Sequence, residues 1–463
     1  MPTPSPPPTP NPEMPRCDAE ERFERITLPV EWVESYRPGG LHPVHLNDLF
    51  KDGQYRTIRK VGNGSFSTVW LAVDQPNAKF VVLKIIRASF NDVGKELDIY
   101  HQLKRLSRDE YMLHLVQLLD HFEHRGPNGK HCCLVFEVMG PSASYMVENL
   151  PPELKSPGAG NYGPFQVWMA KSIIKQVLLA VHELHERGVA HGDLHYGNIL
   201  FTVKGLSTSH EKELAQNLEE SLAYESGKLP PPKFSARATV VRRIDGKEDR
   251  WAPEYLIQDA PLLNYVDLSY SFVIKLSDVG AAFMIANPPT TCVTPISLRA
   301  PEIILDLPLD QRIDIWSFGC LIFEMITGQR LFAVSSFGDD EMIETNDDHL
   351  LQFCDTLGHL PLSLRSKWAG HSRYFGPDLE KIRTNVESDE VDVEDGDAGS
   401  GDGAEKEGEL VSWDRFAAEK PVEIGDVEAA EILQLLRSIL QYDPNARPTT
   451  GQLLEHPWIA AIK

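Results

Sequence analysis

The sequence lacks the features that would place it in a membrane or cross-link it with disulfides. Its 463 residues contain no run near the roughly 18 uninterrupted apolar residues of a membrane span. The start, MPTPSPPPTPNPEMPR, has no apolar stretch for a secretory signal, and the six cysteines show no paired metal-ligand spacing. We therefore expect reduced thiols, no membrane partner and an intracellular location, in the cytoplasm, the nucleus or both.

Positive charge is also scarce. With 45 Lys and Arg against 68 Asp and Glu, the formal net charge is -23. Such a chain repels phosphate backbones and anionic membranes, so we expect no direct nucleic-acid partner and favour basic partners. Part of the excess lies in residues 387–409, ESDEVDVEDGDAGSGDGAEKEGE. This acidic loop is expected to be a solvated loop, with a contact site for basic peptides as the alternative.

The hydrophobic pattern predicts an α+β fold with two parts. The first part alternates apolar and polar residues, as in YRTIRKVGNGSFSTVWLAVDQPNAKFVVLKII, which indicates three antiparallel strands; the helix KELDIYHQLKRL and the strand CCLVFEVMG follow. The second part is helical, beginning with QVWMAKSIIKQVLLAVHELHERG. The expected divisions are a Pro-rich flexible tail (1–20), an N-terminal extension (21–54), a strand-rich lobe with its connection (55–140) and a helical lobe (141–463).

A glycine-containing turn lies where a polyphosphate would bind. In VGNGSFSTV, the glycines allow backbone amides to approach phosphate oxygens without interference from a Cβ atom. Lys84, in VVLK on the next strand, is predicted to reach the phosphates, and Glu96 in the following helix to hold it there. The predicted nucleotide-binding residues of the turn are Val61, Gly62, Asn63, Gly64, Ser65, Phe66, Ser67, Thr68 and Val69.

Further along the chain, carboxylate and amide side chains follow in an ordered series. HGDLHYGN contains Asp193 and Asn198, and IKLSDVG places Asp278 at a strand end. Phosphoryl transfer needs oxygen ligands for Mg²⁺, here Asn198 and Asp278, and a carboxylate to orient the attacking hydroxyl, here Asp193. HGDLHYGN alone fits both protein kinases and the kinases that phosphorylate choline or aminoglycosides.

The segment LRAPEIIL separates these two classes. Its Ala-Pro-Glu element is typical of protein kinases, and with it the chain resembles eukaryotic protein kinases from about Tyr55 to Trp458. The resemblance implies the bilobal protein kinase fold, ATP with Mg²⁺, a pair between Glu302 and Arg447, and bracing of the catalytic loop by Asp314. A small-molecule kinase is the second candidate.

Within the protein kinases, the sequence resembles the SR-protein kinases (SRPKs), in the branch that also contains cyclin-dependent and MAP kinases. Arg299 precedes the Ala-Pro-Glu element, and YRPGGLHPVHLNDLFKDGQYRTIRKVGNGSFSTVWLA looks like the family's N-terminal run. FEVMG resembles its hinge, with Glu137 and Met139 as expected ATP contacts. The long stretch between Asn198 and Asp278 contains the expected spacer insert, residues 202–270.

The resemblance also implies a substrate class. SRPKs phosphorylate serines in Arg/Ser-rich proteins through an acidic docking groove, and DDHLLQFCDTLGHLPLSL resembles the segment beside it. Asp348 and Asp355 fall on two of the groove's acidic positions, while Gln329 stands where the family has a third aspartate. We expect basic or Arg/Ser-rich protein substrates and a monomeric enzyme.

Three residues depart from the protein kinase pattern. Gly192 replaces the arginine that binds an activation-loop phosphate, Val279 replaces a phenylalanine, and His195 replaces a lysine that neutralises the transferring phosphoryl group. An imidazole is only partly cationic at neutral pH, which weakens that neutralisation. A pseudokinase scaffold is therefore an alternative to an active enzyme, although no metal ligand is replaced.

Overall fold

Three of the strands form in the segment where the alternating pattern predicted them. The computed structural model describes residues 6–90, 93–106, 113–155, 165–207, 210–225, 237–334, 342–382 and 412–463. The expected acidic loop at 387–409 lies outside these residues. The strands are β1 (Leu49–Phe50), β2 (Tyr55–Asn63), β3 (Ser67–Asp74), β4 (Lys79–Ile86), β5 (Leu118–Gly126), β6 (Gly129–Phe136), β7 (Met139–Ser142), β8 (Val189–Ala190), β9 (Ile199–Thr202), β10 (Ala238–Val240), β11 (Tyr255–Ile257), β12 (Ile274–Leu276) and β13 (Phe283–Met284).

Most of the helical residues lie in the second half of the chain. The helices are α1 (Val93–Leu106), α2 (Ala143–Asn149), α3 (Val167–Glu186), α4 (Glu211–Leu214), α5 (Leu218–Glu225), α6 (Pro301–Ile304), α7 (Arg312–Thr327), α8 (Met342–Leu357), α9 (Leu362–Arg365), α10 (His371–Tyr374), α11 (Ser412–Glu419), α12 (Asp426–Ile439), α13 (Thr450–Glu455) and α14 (Pro457–Ala460). No helix in the described part of the chain is long and apolar enough to span a membrane.

A six-stranded antiparallel sheet holds the glycine-containing turn and Lys84. Its strand order is β1-β2-β3-β4-β6-β5, and the three strands predicted for the segment around the turn are β2, β3 and β4. The single strand predicted over CCLVFEVMG is wrong, because β6 ends at Phe136 and β7 begins at Met139. There the chain leaves the six-stranded sheet and enters a second sheet of order β12-β9-β7.

The chain divides into two compact units. One comprises residues 1–146 and 196–282, and the other residues 147–195 and 283–463. This division differs from the lobes expected from the sequence, which put 196–282 with the helices. The physical reason is the insert, whose Leu214 packs in one apolar cluster with Ile58 and Leu71, and whose Ile257 packs in another with Trp70.

The second unit is built on buried helices. Helix α3 follows the predicted amphipathic segment and ends at Glu186, two residues before Gly188, whose φ of +72° is the left-handed conformation that favours glycine after a helix. Nine of its residues are buried, and α7 is buried along nearly its whole length. These helices support the loop that carries Asp193.

Buried charges hold the N-terminal extension together and link it to the insert, where Arg22 Nη1 donates to Asp249 Oδ2 at 3.3 Å. Glu34 accepts hydrogen bonds from Arg22 Nε at 2.9 Å and Arg37 Nη2 at 2.9 Å. Arg37 also donates to the backbone carbonyls of Asn11 and Glu13, so part of the expected Pro-rich tail contacts the extension.

Candidate active site

A cleft of about 400 Å³ opens beside the glycine-containing turn in the first unit. Strands β2 and β3 supply one wall, and the connection from β6 to β7 supplies another. Of the predicted nucleotide-binding residues, those that line the cleft are Val61, Gly62, Asn63, Gly64, Ser67, Val69, Lys84, Glu137 and Met139. At Gly64, an added Cβ would meet no atom within 4 Å, so the turn leaves open space next to its backbone.

Three predicted residues of the turn do not line the cleft. Ser65 is exposed, and Phe66 is 54% exposed with its ring 5.1 Å from the Phe90 ring. Thr68 is buried, and its Oγ1 accepts a hydrogen bond from Trp70 Nε1 at 3.0 Å. Side chains alternate between the faces of a strand, so Thr68 and Trp70 lie opposite Ser67 and Val69.

Lys84 joins two carboxylates at the cleft. Its Nζ lies 3.2 Å from Glu96 Oε1 and 2.9 Å from Asp278 Oδ1. Burial alone would lower the pKa of Lys84, but the negative charges of Asp278 and Glu96 raise it, so the ammonium form is stabilised. Burial raises the pKa of Glu96 while Lys84 acts against this change.

Asp278 occupies an unusual backbone conformation. Its φ of +60° is rare for a residue with a side chain, and its Oδ1 accepts a hydrogen bond from the Gly280 backbone N–H at 3.2 Å. A Cβ at position 280 would lie 3.0 Å from Asp278 Oδ1 and 3.6 Å from Glu96 Oε2. Glycine at 280 therefore allows the two carboxylates and Lys84 to meet.

Asn198 lies in the same unit and also lines the cleft. Its backbone carbonyl accepts hydrogen bonds from Ser277 N at 2.8 Å and Ser277 Oγ at 3.0 Å, which ties it to the residue before Asp278. An amide oxygen and a carboxylate are ligands that suit Mg²⁺. Within the described residues, no group of three or more His, Cys, Asp or Glu side chains could hold a metal by itself.

The loop that carries Asp193 is held by a buried carboxylate in the second unit. Asp314 accepts hydrogen bonds from the backbone N–H groups of His191 at 2.7 Å and Gly192 at 2.8 Å, and from His185 Nε2 at 2.9 Å. Burial alone would raise the pKa of Asp314, but the hydrogen bond from His185 and the other contacts lower it. The ionised carboxylate thus fixes the backbone next to Asp193.

Two side chains bind the same loop from the segment before the Ala-Pro-Glu element. Thr294 Oγ1 donates to the Gly192 carbonyl at 2.6 Å, and Cys292 Sγ donates to the same oxygen at 3.0 Å. Gly192 has a φ of +76°. Two neutral side chains therefore hold the loop at Gly192. The resemblance to protein kinases predicts an arginine at this position, which would pair with an activation-loop phosphate. Next to this anchor, His195 Nε2 lies 3.4 Å from Asp193 Oδ2.

Glu302 and Arg447 form a buried bidentate pair. Arg447 Nη1 and Nη2 donate to the two carboxylate oxygens at 2.6 and 2.8 Å, and Nη1 also donates to the Arg312 carbonyl at 3.0 Å. Arg299 donates through Nε to the Thr294 carbonyl at 2.9 Å. The predicted structural residues therefore join α6, α7 and the segment before α13.

The predicted docking residues lie two turns apart on α8. Asp348 is half-buried and accepts a hydrogen bond from Gln352 Nε2 at 3.1 Å. Asp355 is half exposed and lies 2.5 Å from Lys381 Nζ. The neighbouring Asp347 has a different role, because it is buried and accepts a hydrogen bond from Trp368 Nε1 at 2.5 Å.

The sequence motifs do not predict a large part of the cleft lining. Most of the missed residues are apolar or small, and no local pattern distinguishes them from other core positions. They are Val82, Tyr100, Val116, Phe136, Gly140, Pro141, Ser142, Tyr145, Gly197, Leu200, Asp259, Pro261, Leu262 and Ser277. Three of them, Asp259, Pro261 and Leu262, come from the insert.

Comparison with known proteins agrees with this geometry. The family model described as "Protein kinase domain" matches residues 55–209 and 264–459. A crystal structure of a kinase domain matches with a TM-score of 0.55 at 23% identity, covering 90% of this chain and 98% of that one, which shows the fold. The chain therefore belongs to the protein kinase family, and the bilobal α+β kinase fold predicted from the sequence is confirmed.

Individual relatives indicate which group within the protein kinase family the chain resembles. A serine/threonine-protein kinase SRPK from Physarum polycephalum is 29% identical, covering 93% of this chain and 92% of the relative. Serine/threonine-protein kinase SKY1 from Saccharomyces cerevisiae is 32% identical, covering 93% of this chain and 77% of the relative. Protein kinase dsk1 from Schizosaccharomyces pombe is 26% identical, covering 96% and 88%. The chain is an SRPK-like protein kinase, as its motifs predicted.

Proposed function

We propose that the protein transfers the γ-phosphoryl group of ATP to serine or threonine hydroxyls in basic, Arg/Ser-rich protein segments. The observation that carries this proposal is the contact of Lys84 with both Glu96 and Asp278 at the edge of the cleft. A scaffold without turnover has no need of a charged lysine held in this way.

The cleft residues suit a bound nucleotide. The open backbone at Gly64 lets amide groups approach phosphate oxygens, and the Lys84 ammonium group adds a charge-assisted contact to them. The backbone between Glu137 and Met139 leaves the strand ladder at this point and provides polar groups for an adenine ring. Lys275 holds the Glu137 carboxylate at 2.7 and 2.9 Å, which fixes this connection.

The donor set also fits a magnesium ion. Asp278 and Asn198 are the residues that would hold Mg²⁺, which when bound neutralises charge on the phosphates. Asp278 is 47% exposed at its side chain, so the carboxylate is accessible from the cleft. Lys84 keeps Asp278 oriented through its 2.9 Å contact, and the Gly280 N–H adds a second contact.

Asp193 orients the attacking hydroxyl. Its loop is fixed by Asp314, so the carboxylate of Asp193 can accept a hydrogen bond from a serine or threonine hydroxyl and take its proton as the phosphoryl group moves. His195, 3.4 Å from Asp193, is placed to add positive charge when its imidazole is protonated.

The preference for basic substrates rests on charge. Asp348 and Asp355 lie seven residues apart on α8, which puts them near one face of that helix. The overall charge of -23 attracts arginine-rich segments over a distance. A monomeric state and an intracellular location, in the cytoplasm, the nucleus or both, remain predictions.

The deciding experiment is an in vitro phosphorylation assay with an Arg-Ser repeat peptide and Mg-ATP. Asp193→Ala should lower kcat by about 10² to 10⁴ while leaving Mg-ATP affinity nearly unchanged, because only proton acceptance and orientation are lost. Asp378→Ala, which removes an exposed carboxylate in the same unit, is the matched control and should retain full turnover.

Three other outcomes would contradict the proposal. Turnover in Asp193→Ala equal to that of the wild type would show that Asp193 has no catalytic role. Mg-ATP binding without turnover in the wild type would favour the scaffold. Phosphorylation of choline or aminoglycosides but not of the peptide would favour a small-molecule kinase.

A further inference from the structure

We propose that the end of the insert, residues 259–262, forms part of the nucleotide site, and that Asp259 recognises the ribose of ATP. This inference rests on the proposed function, since it concerns the same cleft. Asp259, Pro261 and Leu262 line the cleft together with Asn63 and Gly64 of the glycine-containing turn. All of them belong to the first compact unit.

The insert is fastened to the strand that leads into the turn. Ala260 N donates to the Lys60 carbonyl at 2.9 Å, and Lys60 N donates to Gln216 Oε1 at 2.7 Å. Gln216 N in turn donates to the Ile58 carbonyl at 2.9 Å. Two parts of the insert thus pair with β2 at Lys60 and Ile58, one and three residues before Val61, beyond the two residues that pair with β1.

A buried ion pair strengthens this attachment. The Lys60 side chain is 1% exposed and contacts Glu31 of the N-terminal extension, while its Nζ donates to the Ile257 carbonyl at 3.2 Å. Tyr36 Oη donates to the other Glu31 oxygen at 2.5 Å. The extension and the insert therefore hold Lys60, and residues 259–262 are fixed against β2 rather than lying on it as a loose loop.

Apolar packing also fixes the position of residues 259–262. Leu262 is 1% exposed and packs in the cluster with Ile58, Leu71 and Phe80. Val61 and Val82, which line the cleft, pack against the same cluster. The cleft wall and the insert therefore share one apolar core.

Asp259 has the chemistry to bind a sugar hydroxyl. Three carboxylates are present among the described residues that line the cleft, and two have cationic partners: Asp278 contacts Lys84, and Glu137 contacts Lys275. The Asp259 carboxylate interacts with its own backbone N–H and with the charge of Lys60, and its Oδ1 accepts a long hydrogen bond from Asn63 Nδ2 at 3.4 Å. A carboxylate has about four acceptor positions, so Asp259 can also accept hydrogen bonds from ribose hydroxyls.

The contact with Asn63 gives Asp259 a second role. Asn63 is the last residue of β2 and lies between the two glycines of the turn, so its link to Asp259 joins the start of the turn to the insert. Burial raises the pKa of Asp259, which is consistent with a carboxylate in a partly desolvated cleft. When a ribose hydroxyl also bonds to it, the nucleotide, the turn and the insert become connected through one side chain.

The test compares nucleotides on the full-length protein. We expect 2′-deoxy-ATP or 3′-deoxy-ATP to show a KM about three- to tenfold above that of ATP in the wild type, because one charge-assisted hydrogen bond is missing. Asp259→Ala should raise the KM for ATP by a similar factor, with kcat changed less than about twofold, and should no longer discriminate between ATP and the deoxy analogues.

The matched control is Glu254→Ala, which removes an exposed carboxylate from the insert outside the cleft lining. Its KM for ATP should equal that of the wild type. Asn63→Ala, combined with Asp259→Ala, measures the coupling between the two side chains, and we expect the double variant to lose less than the product of the single losses.

The outcomes separate this inference from the proposed function. Equal KM values for ATP and both deoxy analogues in the wild type, or unchanged discrimination in Asp259→Ala, would overturn the ribose assignment while kinase activity persists. No phosphorylation and no Mg-ATP binding in the wild type would instead overturn the proposed function. The wild-type comparison needs no substitution, so it decides the matter even if Asp259→Ala fails to fold.

Discussion

His195 and Asp193 form the residue pair that most affects the proposed chemistry. Their side chains lie 3.4 Å apart, so the histidine charge state affects the carboxylate that orients the hydroxyl. An ammonium group at this position would be permanently cationic near neutral pH, whereas an imidazole is cationic for only part of the time. The difference should appear in turnover rather than in nucleotide affinity.

We predict that His195→Lys preserves or raises kcat at pH 7.5, and that His195→Ala lowers it by about tenfold, because positive charge near the transferring phosphoryl group stabilises the transition state. Steady-state kinetics with an Arg-Ser peptide provide the measurement. His359→Ala, at an exposed histidine of the same unit, serves as control. A kcat for His195→Ala equal to that of the wild type would show that this imidazole does not contribute.

Site residues can be predicted best from the sequence where the chemistry requires a fixed spacing along the chain. The motifs predict that Glu96 holds Lys84, and the two side chains do meet in the structure; Asp278, predicted separately as a magnesium ligand, is a second contact of Lys84. Thr68 was assigned to the site because it stands inside the turn motif, although the two-residue period of a strand turns it away. Asp259 was missed because no motif surrounds it and its neighbours in space are distant in the chain.

At the scale of structural elements, the bidentate pair of Arg447 and Glu302 joins helices of the second unit. Both side chains are almost fully buried, and the Arg447 guanidinium also lies 5.0 Å from the Trp316 ring centre. Removing one partner would leave an uncompensated buried charge, which is much more costly than losing an exposed pair.

We therefore predict that Arg447→Met lowers the free energy of unfolding by about 3 to 5 kcal/mol. Urea unfolding followed by circular dichroism would measure it. The matched control, Arg437→Met, alters an exposed arginine on α12 and should cost less than about 0.5 kcal/mol. A loss below about 1 kcal/mol for Arg447→Met would mean that the pair does not hold these helices together.

The N-terminal extension packs a histidine against the hairpin of β5 and β6. The His42 ring lies 4.6 Å from the His124 ring and 4.9 Å from the His131 ring. Burial, followed by the charges of the neighbouring histidines, lowers the pKa of His42 from 6.5 to about 3. The folded state therefore binds this proton less readily than the unfolded state does.

This difference in pKa between the folded and unfolded states predicts that acid weakens the packing of His42 against the β5–β6 hairpin. Because the unfolded state binds more protons below pH 6.5, the contribution of His42 is fully present above that pH and is lost progressively down to about pH 3. At pH 5 the loss amounts to about 2 kcal/mol, from 1.36 kcal/mol per pH unit. We predict that His42→Phe shows a smaller decrease in unfolding free energy between pH 7.5 and 5 than the wild type. Parallel pH profiles would exclude this role.

Elements with strong local patterns were predictable, and those held by distant contacts were not. The alternation in β2, β3 and β4 and the apolar stripe of α3 need only local sequence to be recognised. The insert has weak local pattern, and its position depends on Gln216 bonding to β2 and on Leu214 entering the core of the sheet. Such contacts connect residues more than about 130 positions apart, so no window of sequence contains them.

At the scale of the whole molecule, the charge of -23 should act on substrate choice through long-range attraction and through specific contacts on α8. The structure modifies the expected contacts on α8, because Lys381 Nζ lies 2.5 Å from Asp355 Oδ1 and partly neutralises this carboxylate. A guanidinium group of the substrate that binds Asp355 must share the carboxylate with Lys381 or displace it. Asp348 accepts its hydrogen bond from the neutral amide of Gln352, so no cation competes with the substrate at that contact.

We predict that the double variant Asp348→Lys with Asp355→Lys raises the KM for an Arg-Ser peptide more than it changes kcat. Each exposed pair contributes about 0 to 1 kcal/mol, so a rise of about three- to tenfold is expected, and it should shrink as salt is added. Lys381→Met should have the opposite effect and lower the KM, because it frees Asp355. The control with equal charge change, Glu431→Lys with Glu455→Lys, alters exposed residues on α12 and α13 and should change the KM less. If both double variants raise the KM equally, the attraction arises from net charge alone, and α8 is not a docking surface.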